Sequence, residues 1–474
     1  MEKVRTRFAP SPTGYMHIGN LRSAIFEYIL AKKYNGDFIL RIEDTDQTRK
    51  VDGATEYIYD VLKTCNMIID EGPSNPGEYG PYIQSERLNL YRQYANKLLE
   101  SGDAYVCFCN EQRLNTLREK AENEKRAFQY DGYCKNISKD EVEKRINNGE
   151  KYVIRQNMPS SGYVIYEDIV YGTLKFENNL LEDQILIKSD GFPTYNFANV
   201  VDDILMNITH VARGCEYLSS TPKYSNLYKA FGKKEPVYVH LPHVIKEDGK
   251  KLSKRDGDAS FGDLLKQGYL PSAIVNYLCL LGFSPKDNIE IFDLDHICIT
   301  FDESKISKSP AVYDIKKLNW VNAHYIKKLS DEDLYNLCIY HLENAYDLSD
   351  KKVDWISHLI RLYKEHISYG EQIIKETKLF FNDQIHLDNE ASEFLKSDDN
   401  INNTLKIFKE EIKSIEDWSI ENIKNAINST KEKSGVKGKM LFMPIRIACS
   451  GLMHGPELTD TLYLIGKNKL LKRL

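Results

Sequence analysis

The chain has 474 residues, of which 42% are hydrophobic and 28% are charged, and its formal net charge is −6. This composition excludes a chain that is disordered over most of its length, because 31 Tyr and 18 Phe supply ample side chains for buried cores. It also excludes a nucleic-acid binder that is basic overall, although a local basic face stays open. No stretch approaches about 18 consecutive apolar residues, so we expect no membrane span.

The cysteines and the N-terminus indicate in which cellular compartment the protein resides. Nine cysteines are an odd number and are spread thinly along the chain, which favours a reducing environment with mostly buried thiols. Residues 1–5 contain no apolar signal core. We therefore expect a cytoplasmic protein.

The N-terminal region shows a strand–helix–strand pattern. A loop must follow the first strand, because Pro10 and Pro12 fix φ and Gly14 permits positive φ. Apolar residues then recur at helical spacing, and Asn35-Gly36 ends that helix. The predicted bounds are strand 4–9, helix 18–34 and strand 38–42. This order predicts a βαβ unit and a parallel sheet.

The remaining pattern predicts more strands in the middle of the chain and only helices at its end. Helices are predicted at 53–64, 86–101 and 111–126, and a core helix at 273–283. Strands are predicted at 152–155, 163–176, 184–188, 207–212 and 237–245. Beyond about residue 322 the chain is rich in Lys, Glu, Ile and Leu at helical spacing, which predicts a separate all-α region.

The first motif, residues 8–20, combines a strand, a tight loop and a helix start. A helix N-terminus offers unpaired N–H groups and the positive end of a dipole, which suit phosphate. Gly19 allows a nucleotide to approach the backbone, and His17 can donate a hydrogen bond to a phosphate oxygen. On spacing alone, a strand–helix turn with a solvent-facing histidine is the alternative.

The second motif, Lys250–Gly257, follows an apolar strand and a turn. Four cations and a serine there can clamp a polyphosphate and neutralise the charge that develops in phosphoryl-transfer chemistry. A solvated basic turn is the alternative. A similar string at Lys305–Ser309 is set aside, because it follows no strand and Pro310 comes directly after it. The stretch to Tyr313 is expected to lead into helices.

Together, the two motifs resemble those of the class I aminoacyl-tRNA synthetases. The resemblance narrows to glutamyl-tRNA synthetases of the bacterial type and runs nearly from end to end. The segments that carry it are 7–14, 41–46, 192–195, 199–203, 220–222 and 452–474.

The resemblance implies an α/β fold with a Rossmann-type parallel-sheet catalytic domain, an inserted α+β acceptor-stem domain and an all-α C-terminal anticodon-binding region. The implied limits are 1–104 and 190–245 for the catalytic domain, 105–189 for the insert, 246–321 for the KMSKS-type loop and stem-contact domain, and 322–474 for the anticodon-binding region.

The reaction that this resemblance implies is the ATP- and Mg²⁺-dependent activation of L-glutamate and its transfer to tRNA-Glu. His17, Lys251 and Lys254 are implied to be catalytic. The implied ATP-binding residues are Ala9, His17, Gly19, Asn20, Glu216, Lys251, Ser253 and Lys254. The implied glutamate-binding residues are Arg7, Ser11, Glu43, Tyr195, Asn199 and Arg213. Arginine forks suit the two carboxylates of glutamate, while a structural ion pair is the alternative for Arg7 and a core aromatic is the alternative for Tyr195.

The chain departs from the family pattern near these residues. Cys215 and Tyr217 stand where the family often has Glu and Trp, and Ile204 stands where His is frequent. Asn20 replaces the second His of the signature. None of these changes removes a group assigned to catalysis. His210, His240 and His243 are interpreted as structural histidines.

Three cysteines and a tyrosine resemble the zinc-binding knuckle of some family members. Cys107, Cys109 and Cys134 can hold Zn²⁺ tetrahedrally with one more ligand, for which Tyr130 is the candidate. Buried thiols without a metal are the alternative. The other six cysteines have no ligand spacing and are predicted to be core thiols.

Several rival functions remain. The enzyme could also charge tRNA-Gln, and the family implies a monomer that needs tRNA for activation. A catalytically silent RNA-binding paralogue is opposed by the presence of His17, Lys251 and Lys254. The long helical end opposes both a truncated relative that modifies a tRNA base and a glutaminyl enzyme that ends in β-barrels.

Overall fold

The computed structural model describes residues 3–126, 128–250, 252, 260–286, 288–398 and 400–474. The chain divides into two compact units. The first comprises Met1–Asp263 and Ile274–Ile315, and the second comprises Leu264–Ala273 and Lys316–Leu474. None of the described helices is both long enough and apolar enough to cross a membrane.

Strands occur only before residue 313 among the described residues. They are β1 (Arg5–Phe8), β2 (Asp37–Leu40), β3 (Ala104–Cys107), β4 (Val153–Gln156), β5 (Tyr163–Asp168), β6 (Gly172–Glu177), β7 (Ile185–Ile187), β8 (His210–Gly214), β9 (Val237–Leu241), β10 (Val244–Ile245) and β11 (Ala311–Val312).

Helices run through both units. They are α1 (Ile18–Lys33), α2 (Ala54–Thr64), α3 (Leu88–Ser101), α4 (Glu111–Asn123), α5 (Lys139–Asn147), α6 (Tyr195–Leu205), α7 (Thr221–Ala230), α8 (Phe261–Lys266), α9 (Pro271–Leu280), α10 (Leu294–Thr300), α11 (Ile315–Ile326), α12 (Asp331–Ala345), α13 (Val353–Leu362), α14 (Gln372–Phe381), α15 (Asn389–Leu395), α16 (Asn400–Ser414), α17 (Ile420–Ser434), α18 (Lys439–Ser450), α19 (Leu458–Ile465) and α20 (Lys467–Arg473).

The predicted N-terminal βαβ unit is confirmed. Strands β1 and β2 pair in parallel, with Arg5 opposite Asp37. Gly36 makes the return from α1 feasible, because a Cβ atom there would lie 2.1 Å from the carbonyl oxygen of Val4. That oxygen instead accepts a hydrogen bond of 2.9 Å from the Asp37 N–H. The close approach therefore aligns β2 beside β1.

A second parallel pair extends this arrangement. Strands β8 and β9 run in parallel, with Gly214 opposite Leu241. The Thr209 N–H, just before β8, donates to the Arg5 carbonyl at 2.9 Å and so places the start of β8 beside β1. The carboxyl ends of parallel strands meet at one edge, which is where open α/β sheets bind their ligands.

Two predicted strands are interrupted. The segment 163–176 is a hairpin, in which β5 and β6 are antiparallel, and Asp168 of β5 lies opposite Tyr238 of β9. The segment 237–245 breaks between β9 and β10, where Pro242 has no N–H to donate. The hairpin thus joins the sheet of β8 and β9, and the domain limits at 104, 189, 245 and 321 stay predictions.

Smaller corrections concern helices and one short strand. Helix α5 was not predicted, although Ser138 caps it by accepting a hydrogen bond from the Glu141 N–H. Helix α4 ends at Asn123, short of residue 126. The stretch to Tyr313 was expected to lead into helices, but Ala311–Val312 form β11, which pairs in parallel with β10. Backbone pairing between distant residues decides this last case.

The described part of the C-terminal region is all-helical, as predicted. Its core contains side chains without solvent exposure, such as Leu334, Phe408 and Ile445. Local signals agree with the packing: the Ser330 side chain accepts from the Asp333 N–H at the start of α12, and acidic residues fill the first turn.

A buried network of charges connects the elements of the first unit. Asp203 of α6 accepts hydrogen bonds from Arg7 Nε at 3.2 Å and from Arg41 Nη1 at 2.7 Å. Burial alone would raise the pKa of Asp203, but the two guanidinium groups hold that pKa below its ordinary value. Asp203 therefore stays ionised, and its ion pairs hold α6 against β1 and against Arg41, the residue after β2.

Replacing Asp203 with Asn should lower the free energy of unfolding by about 3–5 kcal/mol, because two buried guanidinium groups lose their shared counter-charge. Urea denaturation measures this loss. Glu150→Gln removes an exposed carboxylate paired with Arg145 and is the matched control, with an expected loss of about 0–1 kcal/mol. Equal losses in the two variants would contradict the role of Asp203.

Candidate active site

A cavity of about 460 Å³ opens at the carboxyl ends of β1 and β8. Helix α1 lines one side with Asn20, Ser23 and Glu27, which share a face because they are spaced at i, i+3 and i+7. The predicted site residues that line this cavity are Arg7, Ala9, Ser11, Asn20, Glu43, Tyr195, Arg213 and Glu216.

A second cavity of about 220 Å³ adjoins the first, since both are lined by Asn20 and Glu216. His17 and Gly19 line it at the start of α1. The predicted residues Lys251, Ser253 and Lys254 lie outside the described residues. Leu252, which stands between them in the sequence, lines this second cavity.

His17 is the N-cap residue of α1. Its Nδ1 accepts a hydrogen bond of 3.1 Å from the Gly19 N–H. In the neutral ring, Nε2 therefore carries the proton and can act as a donor. The helix N-terminus and this donor together suit a phosphate group.

Arg7 is held by two carboxylates. Its Nε donates to Asp203, and its Nη1 donates to Glu27 at 3.0 Å. Its Nη2 makes no hydrogen bond to any residue that the structure describes. The structure thus shows the ion pair that was the alternative for Arg7, and it also places the guanidinium at the cavity wall.

Glu43 presents a buried carboxylate. Its Oε1 accepts from Arg41 Nη2 at 3.0 Å and from Asn199 Nδ2 at 3.3 Å. Its Oε2 is buried and has no hydrogen-bond partner within the described ranges. Asn199 is not among the cavity-lining residues, so it acts on the site through Glu43.

Arg213 is aligned by a buried chain of hydrogen bonds. Its Nε donates to His240 Nε2 at 3.2 Å, and its Nη2 donates to the Thr221 hydroxyl at 2.8 Å. His240 Nδ1 lies 2.7 Å from Asp168 Oδ2. Because the carboxylate accepts the Nδ1 proton, the Nε2 atom of His240 is left as an acceptor for Arg213.

This chain of hydrogen bonds agrees with the interpretation of His240 as a structural histidine, and it shows that the ring also contacts Arg213. The His240 side chain has no solvent exposure, and burial lowers its pKa. The ring therefore stays neutral and keeps accepting from Arg213. Sequence reasoning missed Asp168 entirely, since only the pairing of β5 with β9 brings it to His240.

Tyr195 and Tyr217 form an aromatic wall. Their ring centroids lie 5.8 Å apart, and the Arg213 guanidinium carbon lies 5.0 Å from the Tyr217 centroid. A cation over an aromatic face is attracted by the ring quadrupole. Tyr217 thus provides a ring where the family often has Trp.

Glu27 is the main residue that sequence reasoning missed. Its Oε1 accepts from Arg7 and from the Ala212 N–H at 2.8 Å, whereas Oε2 is buried and has no partner in the described part of the chain. Burial raises its pKa to about 8 against the opposing effect of Arg7. The available signal was a charged residue on the face of α1 that also carries Asn20 and Ser23.

The predicted cysteine group is brought together. Cys109 Sγ lies 3.6 Å from Cys134 Sγ, and the Tyr130 hydroxyl lies 3.3 Å from Cys107 Sγ and 3.2 Å from Cys109 Sγ. Zn–S bonds of about 2.3 Å in a tetrahedron require sulfur separations near 3.8 Å. The donor set therefore fits Zn²⁺.

Comparison with known proteins matches both parts of the chain. Residues 3–320 match the family described as tRNA synthetases class I (E and Q), catalytic domain, and residues 333–474 match an anticodon binding domain. The chain is 47% identical to a glutamate–tRNA ligase of Clostridium botulinum, covering 100% of this chain and 97% of the relative. It is 46% identical to the one of Clostridium acetobutylicum, with the same coverage.

Solved structures agree. A glutamate tRNA ligase from Elizabethkingia meningosepticum, in complex with its amino acid, is 36% identical with a TM-score of 0.86, covering 100% of this chain and 98% of that one. A glutamate-tRNA synthetase from Elizabethkingia anophelis is 36% identical with a TM-score of 0.89, covering 100% and 99%.

The raised pKa of Glu27 predicts a pH dependence of stability. Between the ordinary value of 4.5 and about 8, the folded state keeps a proton that the unfolded state has lost, so the free energy of unfolding falls as pH rises. Glu27→Gln should flatten this fall, as measured by urea denaturation across that interval. The exposed Glu56→Gln is the control, and an unchanged slope in Glu27→Gln would contradict the assignment.

Proposed function

We propose that the two adjoining cavities bind glutamate and ATP. The chain belongs to the class I glutamate–tRNA ligases, and these are the substrates of the reaction of that family. The enzyme attaches L-glutamate to tRNA-Glu. The glutamate carboxylate attacks the α-phosphate of ATP, pyrophosphate leaves, and the glutamyl group then moves from AMP to the 3′-terminal adenosine. Mg²⁺ enters with ATP as part of that substrate.

The single observation that carries the proposal is the set of charges in the larger cavity. Arg7 and Arg213 line it with guanidinium groups, and Glu43 lines it with a buried carboxylate. Glutamate carries two carboxylates and one ammonium, which are the complementary charges. We assign Arg7 and Arg213 to the carboxylates and Glu43 to the ammonium.

The unused hydrogen-bonding capacity of these groups supports the assignment. Glu43 Oε2 is a buried acceptor without a partner among the described residues, and a substrate ammonium would satisfy it. Arg7 Nη2 is likewise an available donor. Ser11 and Tyr195 add polar groups at the wall of the same cavity.

The raised pKa of Glu27 matters for Arg7. When Glu27 is protonated, Asp203 is the one anion left paired with Arg7 among the described residues, and Asp203 also pairs with Arg41. The guanidinium therefore keeps positive charge for the substrate. Because Oε1 of Glu27 already accepts two hydrogen bonds, its proton belongs on Oε2.

In the smaller cavity we assign His17, Gly19 and Asn20 to the phosphates of ATP, with Ala9 and Glu216 beside the nucleotide. The helix N-terminus of α1 and the Nε2–H of His17 supply donors for phosphate oxygens. Lys251, Ser253 and Lys254 belong to the same proposal through the sequence motif, with Lys254 stabilising charge at the α-phosphate in the transition state.

Asp168→Asn tests the alignment of Arg213. An amide can donate to His240 Nδ1, which would leave Nε2 protonated and facing the Arg213 N–H. Loss of a hydrogen bond to a charged group costs about 1.5–3 kcal/mol, so the KM for glutamate should rise roughly 10- to 100-fold while the KM for ATP stays unchanged.

The control for that variant is Glu167→Gln, which changes an exposed carboxyl group on the same strand. Initial rates of glutamate-dependent pyrophosphate exchange give both KM values. Equal effects on glutamate and ATP would show that Asp168 serves only the fold.

Lys254→Ala should slow glutamate activation by roughly 10²–10³-fold, the usual cost of removing one transition-state charge donor. Lys250→Ala, which removes an exposed cation paired with Asp248 at 3.1 Å, is the control. A change of only a few-fold in Lys254→Ala, measured by pyrophosphate exchange, would remove Lys254 from the site.

The whole function is tested by pyrophosphate exchange with and without tRNA-Glu, together with charging of tRNA-Glu and tRNA-Gln. We expect exchange that depends on added tRNA-Glu, in a cytoplasmic, monomeric enzyme. Charging of tRNA-Gln would identify a non-discriminating enzyme. Tight tRNA binding without any exchange would instead identify an RNA-binding paralogue.

We further assign Cys107, Cys109, Tyr130 and Cys134 to a structural Zn²⁺ that would hold the strand β3 to the loop after α4. After mild chelation of loosely bound metal, Cys134→Ser should contain about one zinc per chain less than the parent, because a closed site needs all four ligands. Metal analysis measures this, with Cys65→Ser as the control. Equal zinc content in the two variants would favour buried thiols without metal.

A further inference from the structure

Three side chains of types that bind metals meet at the proposed nucleotide end of the site. One of them, Glu216, is assigned a place beside ATP, but the proposed reaction gives the three together no role. The Cys215 sulfur, a Glu216 carboxylate oxygen and a His243 ring nitrogen all lie within 4.8 Å of one another. His243 Nδ1 is 3.7 Å from Glu216 Oε2.

The sheet explains why these residues converge. Cys215 and Glu216 follow β8, and His243 follows β9. Because Gly214 and Leu241 are paired in register, the residues after them emerge side by side at the same edge. The convergence is therefore built into the strand pairing.

Gly214 also shapes the group. A Cβ atom at this position would lie 2.2 Å from Glu216 Oε2, so the glycine leaves room for the carboxylate to fold back against the backbone. In this conformation the Glu216 carboxylate lies near the histidine, although its side chain stays about half exposed.

We propose that Cys215, Glu216 and His243 form a Zn²⁺-binding site at the nucleotide end of the cavity. A thiolate, a carboxylate and an imidazole are the three ligand types that Zn²⁺ takes in proteins. Zn–N and Zn–O bonds of about 2.0–2.2 Å require ligand atoms roughly 3.3–3.6 Å apart, so the histidine and glutamate are almost in place.

The thiolate determines which metal is preferred. Sulfur ligands select Zn²⁺ over Mg²⁺, which takes oxygen ligands. Binding releases the thiol proton to solvent, and the complex of Zn²⁺ with one thiolate and one carboxylate is neutral. The buried guanidinium of Arg22 lines the same cavity. Because the complex as a whole is neutral, it does not repel this guanidinium.

The position of the site gives it a consequence for the reaction. Glu216 and His243 line the smaller cavity together with His17, Gly19 and Asn20. A zinc ion with three protein ligands keeps its fourth position open, and here the ion would occupy space assigned to ATP. Zn²⁺ should therefore inhibit the enzyme in competition with ATP, a consequence that rests on the proposed nucleotide site.

The chain itself provides the discriminating variant. Cys215 supplies the thiol of this three-residue group. Cys215→Ser keeps the size of the side chain and removes the thiolate. It leaves the proposed ATP-binding residues in place, and we expect unchanged activity without added zinc.

The experiment uses the full chain and Zn²⁺ alone. Apart from the structural Zn²⁺ proposed at Cys107, Cys109, Tyr130 and Cys134, equilibrium dialysis should show one further zinc equivalent per chain. This further equivalent should be lost in Cys215→Ser and weakened in His243→Gln, but kept in Cys65→Ser and in Cys134→Ser, which loses only the structural ion. Zn²⁺ should raise the KM for ATP in pyrophosphate exchange, and this sensitivity should fall at least about tenfold in Cys215→Ser, the low end of the effect of altered metal environments.

The outcomes are separable. If Cys215→Ser and the parent bind the same amount of zinc, the metal site is wrong. If zinc binding depends on Cys215 but inhibition is not competitive with ATP, the metal site stands and the proposed position of ATP is wrong. Circular dichroism of each variant excludes misfolding as the cause.

Discussion

The ion pairs of Asp203 with Arg7 and Arg41 are the constraint on which the larger cavity, the proposed glutamate site, depends. A buried carboxylate must be paired, and here one carboxylate serves two guanidinium groups from β1 and from the residue after β2. Asp203 lies on α6, whose start also supplies Tyr195. Holding Asp203 therefore fixes one helix against two parallel strands and places that helix at the cavity wall.

In the larger cavity, the charged groups proposed to bind glutamate are only partly paired with other protein groups. Arg7 and Glu43 are each paired on one side by neighbouring protein groups; Glu43 keeps a buried carboxylate oxygen without a partner in the described structure, and Arg7 Nη2 donates to none of the described residues. In a low-dielectric site, such atoms interact strongly with a substrate that brings the opposite charge. Arg213 is prepared in a different way, because a neutral histidine orients it without neutralising it. Glutamate would complete both arrangements.

The smaller cavity, the proposed ATP site, is also built by paired parallel strands, but it carries different side chains. The residues after β8 and β9 meet because their strands are paired, and they bring a thiol, a carboxylate and an imidazole together. The thiol of Cys215 gives this wall a donor set with an affinity for soft metals, so the proposed zinc ion and the proposed ATP would compete for the same edge.

The sequence by itself determined what depends on neighbours along the chain. The period of α1, the turn at Asn35-Gly36 and the parallel strands beside them follow from local spacing, as do the helical C-terminal region and the position of His17 at a helix start. The family resemblance added Arg7, Glu43 and Arg213. Only the tertiary structure decided that Glu27 contacts Arg7, that Asp168 aligns Arg213 through His240, and that β5 and β6 join the sheet of β8 and β9. These contacts join residues far apart in the chain, and their energies come from burial and from paired charges, which no local periodicity encodes.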